Sequence, residues 1–253
     1  EGIMEIEDFG DNTLFHSIRK SKNIFPYYKK SINVILKLQK IKPINKIKIK
    51  LNRNLKLNNY NIKNLNKDSD LFLNWYLPRV LGKRKSKKFK KKIKIELNKL
   101  YKQIYFKNKF IVHRDFHVSN IMPVKSKLGI IDTQDVILGN PMYDVASLID
   151  DVRIQIPLTI KNKIFQYYLK KSSLRKNIYF LKNDFDILSI QRNLKILGIF
   201  YRLDIRDKKP QYLKYLPYTW KLIELRMKNK IFKNLEKILL DAVSKKLRKK
   251  KKF

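Results

Sequence analysis

Between Phe110 and Asp151 the chain carries a pattern that few folds accommodate. It runs His113-Arg-Asp115-Phe-His-Val-Ser-Asn120, an apolar run, a basic turn, a second apolar run, and then Asp132. Residues 121–124 and 128–131 are short and apolar, and Lys125-Ser126-Lys127 between them supplies a turn, so the segment reads as loop, hairpin, loop. In an antiparallel hairpin the first residue of one strand lies opposite the last of the other, which predicts that Asn120 and Asp132 emerge at the same end. Asp115 precedes Asn120 by five residues, in the loop that enters that end. Three oxygen-bearing side chains are therefore expected in one small volume.

Hard oxygen ligands of this kind suit Mg²⁺, which keeps several waters and takes one or two carboxylates plus substrate phosphates. Phosphoryl transfer needs a carboxylate that orients and deprotonates an acceptor hydroxyl, and ligands that hold metal against the departing phosphate charge. The residue types and their spacing fit that chemistry.

His113-x-Asp115-x4-Asn120 with Asp132 downstream resembles the catalytic and metal-binding loops of the aminoglycoside phosphotransferase and choline kinase superfamily, relatives of the protein kinases. HRDFHVSNIM, GIIDTQD, GNPMYDVASLIDDVR, LFLNWYLPRVLG and QRNLKILGIFYRLDIRDKKPQYLKYLP are similar, more narrowly, to the bacterial branch of anomeric N-acetylmuramate and N-acetylglucosamine kinases. Thr133 departs from that pattern, standing where relatives more often carry an aromatic residue. The resemblance implies an α+β, protein-kinase-like fold: a predominantly helical C-terminal lobe with a short catalytic β-hairpin. It also implies ATP and Mg²⁺ as cofactors, and an amino sugar of cell-wall recycling phosphorylated at its anomeric hydroxyl.

Residue by residue, the resemblance makes Asp115 the catalytic base, Asn120 and Asp132 the metal ligands, and Asp144 a brace for the catalytic-loop backbone. An apolar segment ending Glu7-Asp8-Phe-Gly-Asp11 is similar to the hinge between kinase lobes, which implies that residues 1–12 are the remnant of a strand and hinge and residues 13–253 the helical lobe. The small lobe with its phosphate loop and lysine would then precede Glu1, and residues 1–253 alone are expected to bind ATP weakly or not at all. The acceptor pocket is expected between the Asp115 loop, Trp75 and Arg202. Several roles stay open at this stage. Trp75 could stack on a sugar or belong to the core. His113 is read as a backbone brace, His117 as a substrate contact or a packing residue, and Arg114 as structural or phosphate-steering. Asp135 could serve metal, substrate or structure.

The net charge of +39, from 60 Lys and Arg against 21 Asp and Glu, would by itself suggest a nucleic-acid partner. The lysines are spread from end to end, and Asn, Ile, Tyr and Phe are abundant beside only two Ala and six Gly. Those enriched residues share A/T-rich codons, so base composition accounts for the charge and no specific nucleic acid is expected. Against that background six acids within one stretch, Asp115, Asp132, Asp135, Asp144, Asp150 and Asp151, carry information. There is no cysteine, no basic-then-apolar leader pattern at the N-terminus and no apolar run of membrane-spanning length, so the expectation is a cytoplasmic protein with no membrane partner. The competing readings are an aminoglycoside phosphotransferase, a catalytically inactive kinase-like remnant, and a basic nucleic-acid-binding module.

Apolar spacing predicts helices over 24–39, 85–106, 143–152, 161–171, 184–201, 217–227 and 231–247. Residues 71–81 are predicted to be helical as far as Tyr76 and then interrupted by Pro78. The Asn- and Lys-rich 41–70 reads as a surface connection, and 245–252 as a frayed, solvated tail.

Overall fold

The computed structural model describes residues 7–43, 47–49, 53–55 and 57–250. The strand expected before Glu7 lies outside the described residues, as do the last residues of the basic tail. The described residues are predominantly helical, with three small antiparallel pairings among them, and the longest element organises the rest.

That element is α8, Ile178–Ile205, 28 residues long and buried over most of its length, its enclosed residues including both apolar side chains and the polar Asp184, Gln191, Arg192 and Asn193. It begins six residues before the predicted start, because Ile178, Tyr179 and Phe180 are exposed and give no amphipathic signal. Around it pack α3 (Ile62–Leu71), α5 (Lys83–Lys102), α6 (Met142–Ile149) and α9 (Leu216–Met227). Outside these lie α1 (Leu14–Lys20), which the sequence reading did not assign, α2 (Phe25–Lys40, with proline in its first turn) and α7 (Leu158–Lys171). The predicted helix over 231–247 is two: α10 (Lys233–Ala242) and α11 (Lys245–Lys249), broken where the Ser244 side chain caps a new start.

Two expectations need correction. Residues 41–70 are not a plain surface connection. Strands β1 (Ile47–Ile49) and β2 (Arg53–Leu55) pair antiparallel, and α3 follows, opened by Asn61 and Asn64 exchanging side-chain and backbone hydrogen bonds at 3.2 Å. That reciprocal cap satisfies two helix-end donors, and the Asn-rich composition conceals it from a hydrophobic-periodicity reading. Nor does Pro78 interrupt the helix. From α3 the chain passes through one π-helical turn, Phe72–Tyr76, where the Leu77 N–H reaches back five residues to Phe72, and continues as α4 (Leu77–Leu81). The wider winding gives room to a residue that lacks an N–H and whose ring would collide with the carbonyl four residues back. Gly198 of α8 faces this turn, and a Cβ there would land in the backbone of Leu71 and Phe72. The close approach of two helices thus depends on one missing side chain.

Strand β3 (Phe110–Val112) pairs with β6 (Ile137–Gly139), and β4 (Ile121–Val124) with β5 (Lys127–Ile130) in the predicted hairpin, one residue earlier on its second strand. The Ile131 N–H then bonds the Asn120 carbonyl at 3.1 Å, carrying the ladder one step past the strands. No helix among the described residues is long and apolar enough to cross a membrane.

Candidate active site

The loop between β3 and β4 is held from two sides by buried carboxylates. On one side, Asp144 in the first turn of α6 accepts the backbone N–H of His113 at 2.8 Å and that of Arg114 at 3.0 Å. Arg114 has φ 74°, a left-handed conformation that costs free energy in a non-glycine residue and persists only where the surroundings impose it. Burial pushes the Asp144 carboxyl up to about 7, and the two backbone N–H groups pull against that rise. On the other side, Asp151 accepts the Val118 N–H at 3.2 Å and pairs with Arg153 at 3.2 Å. His113 closes the loop onto the hairpin, its Nε2 lying 3.0 Å from the Ile131 carbonyl.

This bracing brings Asp115, Asn120 and Asp132 together. The Asn120 Nδ2 donates to the Asp115 carbonyl at 3.1 Å and to the Asp132 carboxylate at 3.2 Å. Asp132 is exposed, with φ 68°, and also accepts from Gln134. A half-turn of the Asn120 amide would set its Oδ1 beside the Asp132 carboxylate in place of this hydrogen bond. An exposed carboxylate beside an amide oxygen is a donor set that fits Mg²⁺, which fills its other positions with water and phosphate.

Asp115 points to different surroundings. Its side chain lines a cavity of about 370 Å³ with Asp68, Tyr143, Arg192, Lys195 and Arg202. Burial works to raise its pKa, but Arg192 and then Lys195, His117 and Arg114 outweigh it and hold the carboxyl below its ordinary value. The group is therefore ionised across the neutral range.

The remaining predicted residues divide. Arg202 lines the same cavity as Asp115. Trp75 is not among its lining residues and packs against the core, so of its two readings the packing one describes its position. Arg114 ties the loop to its neighbours, with Asp68 at 3.6 Å, Asp135 at 3.8 Å and the Tyr60 ring beneath its guanidinium. Asp135 is thus an ion-pair partner at the cavity edge. His117 is buried, and burial, followed by Arg153, pushes its pKa down to about 4. Glu7 and Asp8 are exposed; the Asp8 carboxylate accepts the Gly10 N–H at 2.8 Å, and the Phe9 ring lies over Gly129 of β5.

Sequence reasoning missed Asp68, Arg192 and Lys195. Asp68 sat in a segment read as loop. Arg192 and Lys195 were available in the spacing of 192, 195, 199 and 202, which shares one helical face, but the uniform abundance of lysine and arginine hides such a stripe.

A helical lobe with a braced loop, a short hairpin and an Asp-Asn-Asp cluster at its end defines a kinase-like phosphotransferase lobe of α+β class. Residues 53–178 match the model of the phosphotransferase enzyme family, and the chain carries a domain of that family. Three curated relatives are each named N-acetylmuramate/N-acetylglucosamine kinase. The one from Pseudomonas aeruginosa is 30% identical over 63% of this chain and 49% of its own length. Those from Pseudomonas putida and Neisseria meningitidis are 26% and 25% identical, each over 85% of this chain and 62% and 64% of their own lengths respectively. The chain thus spans between 49% and 64% of the length of these relatives.

Proposed function

We propose that this chain is the catalytic lobe of an ATP-dependent small-molecule kinase that phosphorylates the anomeric hydroxyl of an amino sugar. The observation that carries the reading is the placement of Asp115: it lines the 370 Å³ cavity, while its backbone carbonyl is tied to Asn120, whose side chain reaches Asp132. One loop residue therefore touches both an acceptor-sized space and a metal-type donor pair.

In this reading the Asp115 carboxylate accepts a hydrogen bond from the acceptor hydroxyl and aligns its oxygen with the γ-phosphorus. As the new O–P bond forms and the bond to the ADP oxygen breaks, the hydroxyl proton passes to Asp115. Its depressed pKa makes it a weak base that takes the proton late, which suits a transition state with little bonding to the acceptor. Asn120 and Asp132 would hold Mg²⁺, which when bound neutralises charge on the phosphates. Asp144 and Asp151 keep the loop in register, and His113 ties it to the hairpin.

The amino-sugar acceptor is proposed from the names of the relatives, with a place in cell-wall recycling as the corresponding role. A panel of acceptors assayed with ATP and Mg²⁺ tests it. Phosphorylation of N-acetylated hexosamines at C1 is expected; activity on kanamycin-type aminoglycosides with none on these sugars would overturn the acceptor assignment.

A further inference from the structure

The first half of α5 runs against helix electrostatics in two ways. Lys83, Arg84 and Lys85 open it and its first turn holds no acid, although the backbone dipole already puts partial positive charge at that end. Farther along, Arg84 and Lys88, Lys87 and Lys91, and Lys88 and Lys92 repeat one sign at four-residue spacing, where like charges meet across a turn and repel. Nine of the twelve residues from Lys83 to Lys94 are Lys or Arg and none is acidic, against 60 of 253 in the whole chain. Base composition accounts for the total charge but not for this concentration. A/T-rich codons enrich Asn, Ile, Tyr and Phe along with Lys, and this run holds no Asn, no Tyr, one Ile and one Phe.

The cations are also sorted by face. At 100° per residue, Lys87, Lys91, Arg84, Lys88, Lys92 and Lys85 follow one another around about 160° of the helix. All six are exposed, and none forms an ion pair among the described residues. The two acids that α5 does engage, Asp70 and Glu96, are taken by Lys94 at 2.8 Å and Lys99 at 2.7 Å. On the opposite side Ser86, Ile93, Leu97 and Leu100 are buried, which fixes the helix with only its cationic arc outward.

We propose that this arc of α5 docks double-helical nucleic acid through its phosphates, independently of base sequence. A helix that lies in a membrane interface buries an apolar face among the lipids. The apolar face of α5 is occupied by the protein, and Ile95 is the one large apolar residue it exposes. Single strands are held largely by aromatic stacking, and α5 exposes no aromatic side chain. The six cations span eight residues, about 12 Å of helix axis. Over that length a duplex presents about seven phosphate charges, at one per ~1.7 Å, so cations and phosphates match in number as well as in sign.

Binding of a mixed-sequence 20-base-pair DNA duplex, followed by fluorescence anisotropy across a salt series, tests this on the full chain. Two variants of equal net charge are compared with the parent. One carries Lys or Arg to Gln changes at 84, 85, 87, 88, 91 and 92, and the other carries Lys→Gln at the exposed positions 22, 30, 163, 170, 171 and 176. The α5 variant should lose at least about tenfold in affinity, and its slope of log affinity against log salt should be shallower by about five, at ~0.9 per phosphate contact removed. The second variant should stay within about one unit of the parental slope. Unchanged circular dichroism and melting temperature establish that both are folded. Equal losses in the two variants would mean that net charge alone binds the duplex, and would overturn the proposal. So would a parent chain that does not bind the duplex at low salt, or one that prefers vesicles of one-third phosphatidylserine, polyglutamate or the single strand.

Discussion

One carboxylate on α6 fixes the peptide that precedes Asp115: Asp144 accepts both the His113 and the Arg114 N–H, at 2.8 and 3.0 Å, and holds Arg114 at φ 74°. Asp144→Asn keeps the volume but replaces one acceptor oxygen with an NH₂ that faces a backbone donor. The cost is expected at about 1–3 kcal/mol, that of a buried donor left unmade. Turnover should fall further than the folded fraction does, because the loop can then relax out of its left-handed peptide. Denaturant midpoint and kcat, measured on the same preparation at a temperature where the variant is folded, separate the two effects. An Asp144→Asn protein with parental stability and kcat would show that the brace is dispensable.

Asp150 anchors a second buried group. Its carboxylate meets Lys161 at 2.9 Å, Arg226 at 2.7 and 2.9 Å, and Ser189 at 2.6 Å. Burial would raise its pKa, but Lys161 and then Arg226 hold it far below the ordinary carboxylate range. Because the folded value is depressed, this contribution to stability is present above pH ~4 and lost as pH falls below it. Asp150→Ala leaves the buried Lys161 without a carboxylate and Arg226 with only Asp186 at 3.8 Å, and should cost about 3–5 kcal/mol. A melting temperature within a degree or two of the parent would contradict that.

His117 supplies a pH dependence with a defined sign. Its folded pKa of about 4 lies below the ordinary 6.5, so between those values the unfolded chain binds a proton that the folded chain does not. Stability from this residue is full above about pH 6.5 and is lost on acidification, by at most about 3 kcal/mol. Asp144, raised to about 7, and Asp186, raised to about 6, act in the opposite direction over an overlapping range. The parent profile is therefore a partial cancellation, and the difference between parent and His117→Gln isolates the histidine. Unfolding free energies at several pH values should show that difference changing across the window; a constant offset would mean that His117 does not titrate on unfolding.

The site was more legible in the sequence than the frame that holds it. Asn120 and Asp132 could be brought together from hairpin pairing alone, because a two-strand register needs only two apolar runs and a turn. Arg192 and Lys195 could not, because their position depends on how α8 is rolled against α3, a tertiary fact; Arg202 entered only through the family resemblance. The same holds for α3: its capping box is local and readable, but its Asn- and Lys-rich face suppresses the periodicity that usually reveals a helix. Pro78 shows the opposite failure, a correct local rule overridden by one π-helical turn.

That π turn depends on Gly198. A Cβ at this position would meet backbone atoms of Leu71 and Phe72, which cannot rotate away as a side chain would. Gly198→Ala should destabilise by about 1–3 kcal/mol through overpacking, in spite of the higher helix propensity of alanine. Since Arg192 and Arg202 lie on the same helix, the shift of α8 should also weaken acceptor binding. Thermal melts and acceptor titrations on one sample test both; a stabilised variant would mean that the helices separate freely there.

The division of labour between Asp115 and Asp132 tests the central claim most directly. Nucleotide affinity with and without Mg²⁺, and phosphate transfer from γ-labelled ATP to an amino sugar, are measured for the parent, Asp115→Asn and Asp132→Ala. Asp115→Asn should lower transfer by about 10²–10⁴-fold and leave nucleotide affinity nearly unchanged. Asp132→Ala should remove the Mg²⁺-dependent part of nucleotide binding. Equal effects of the two substitutions on ATP affinity, or transfer that survives Asp115→Asn undiminished, would contradict the assignment of this loop as a phosphotransfer site.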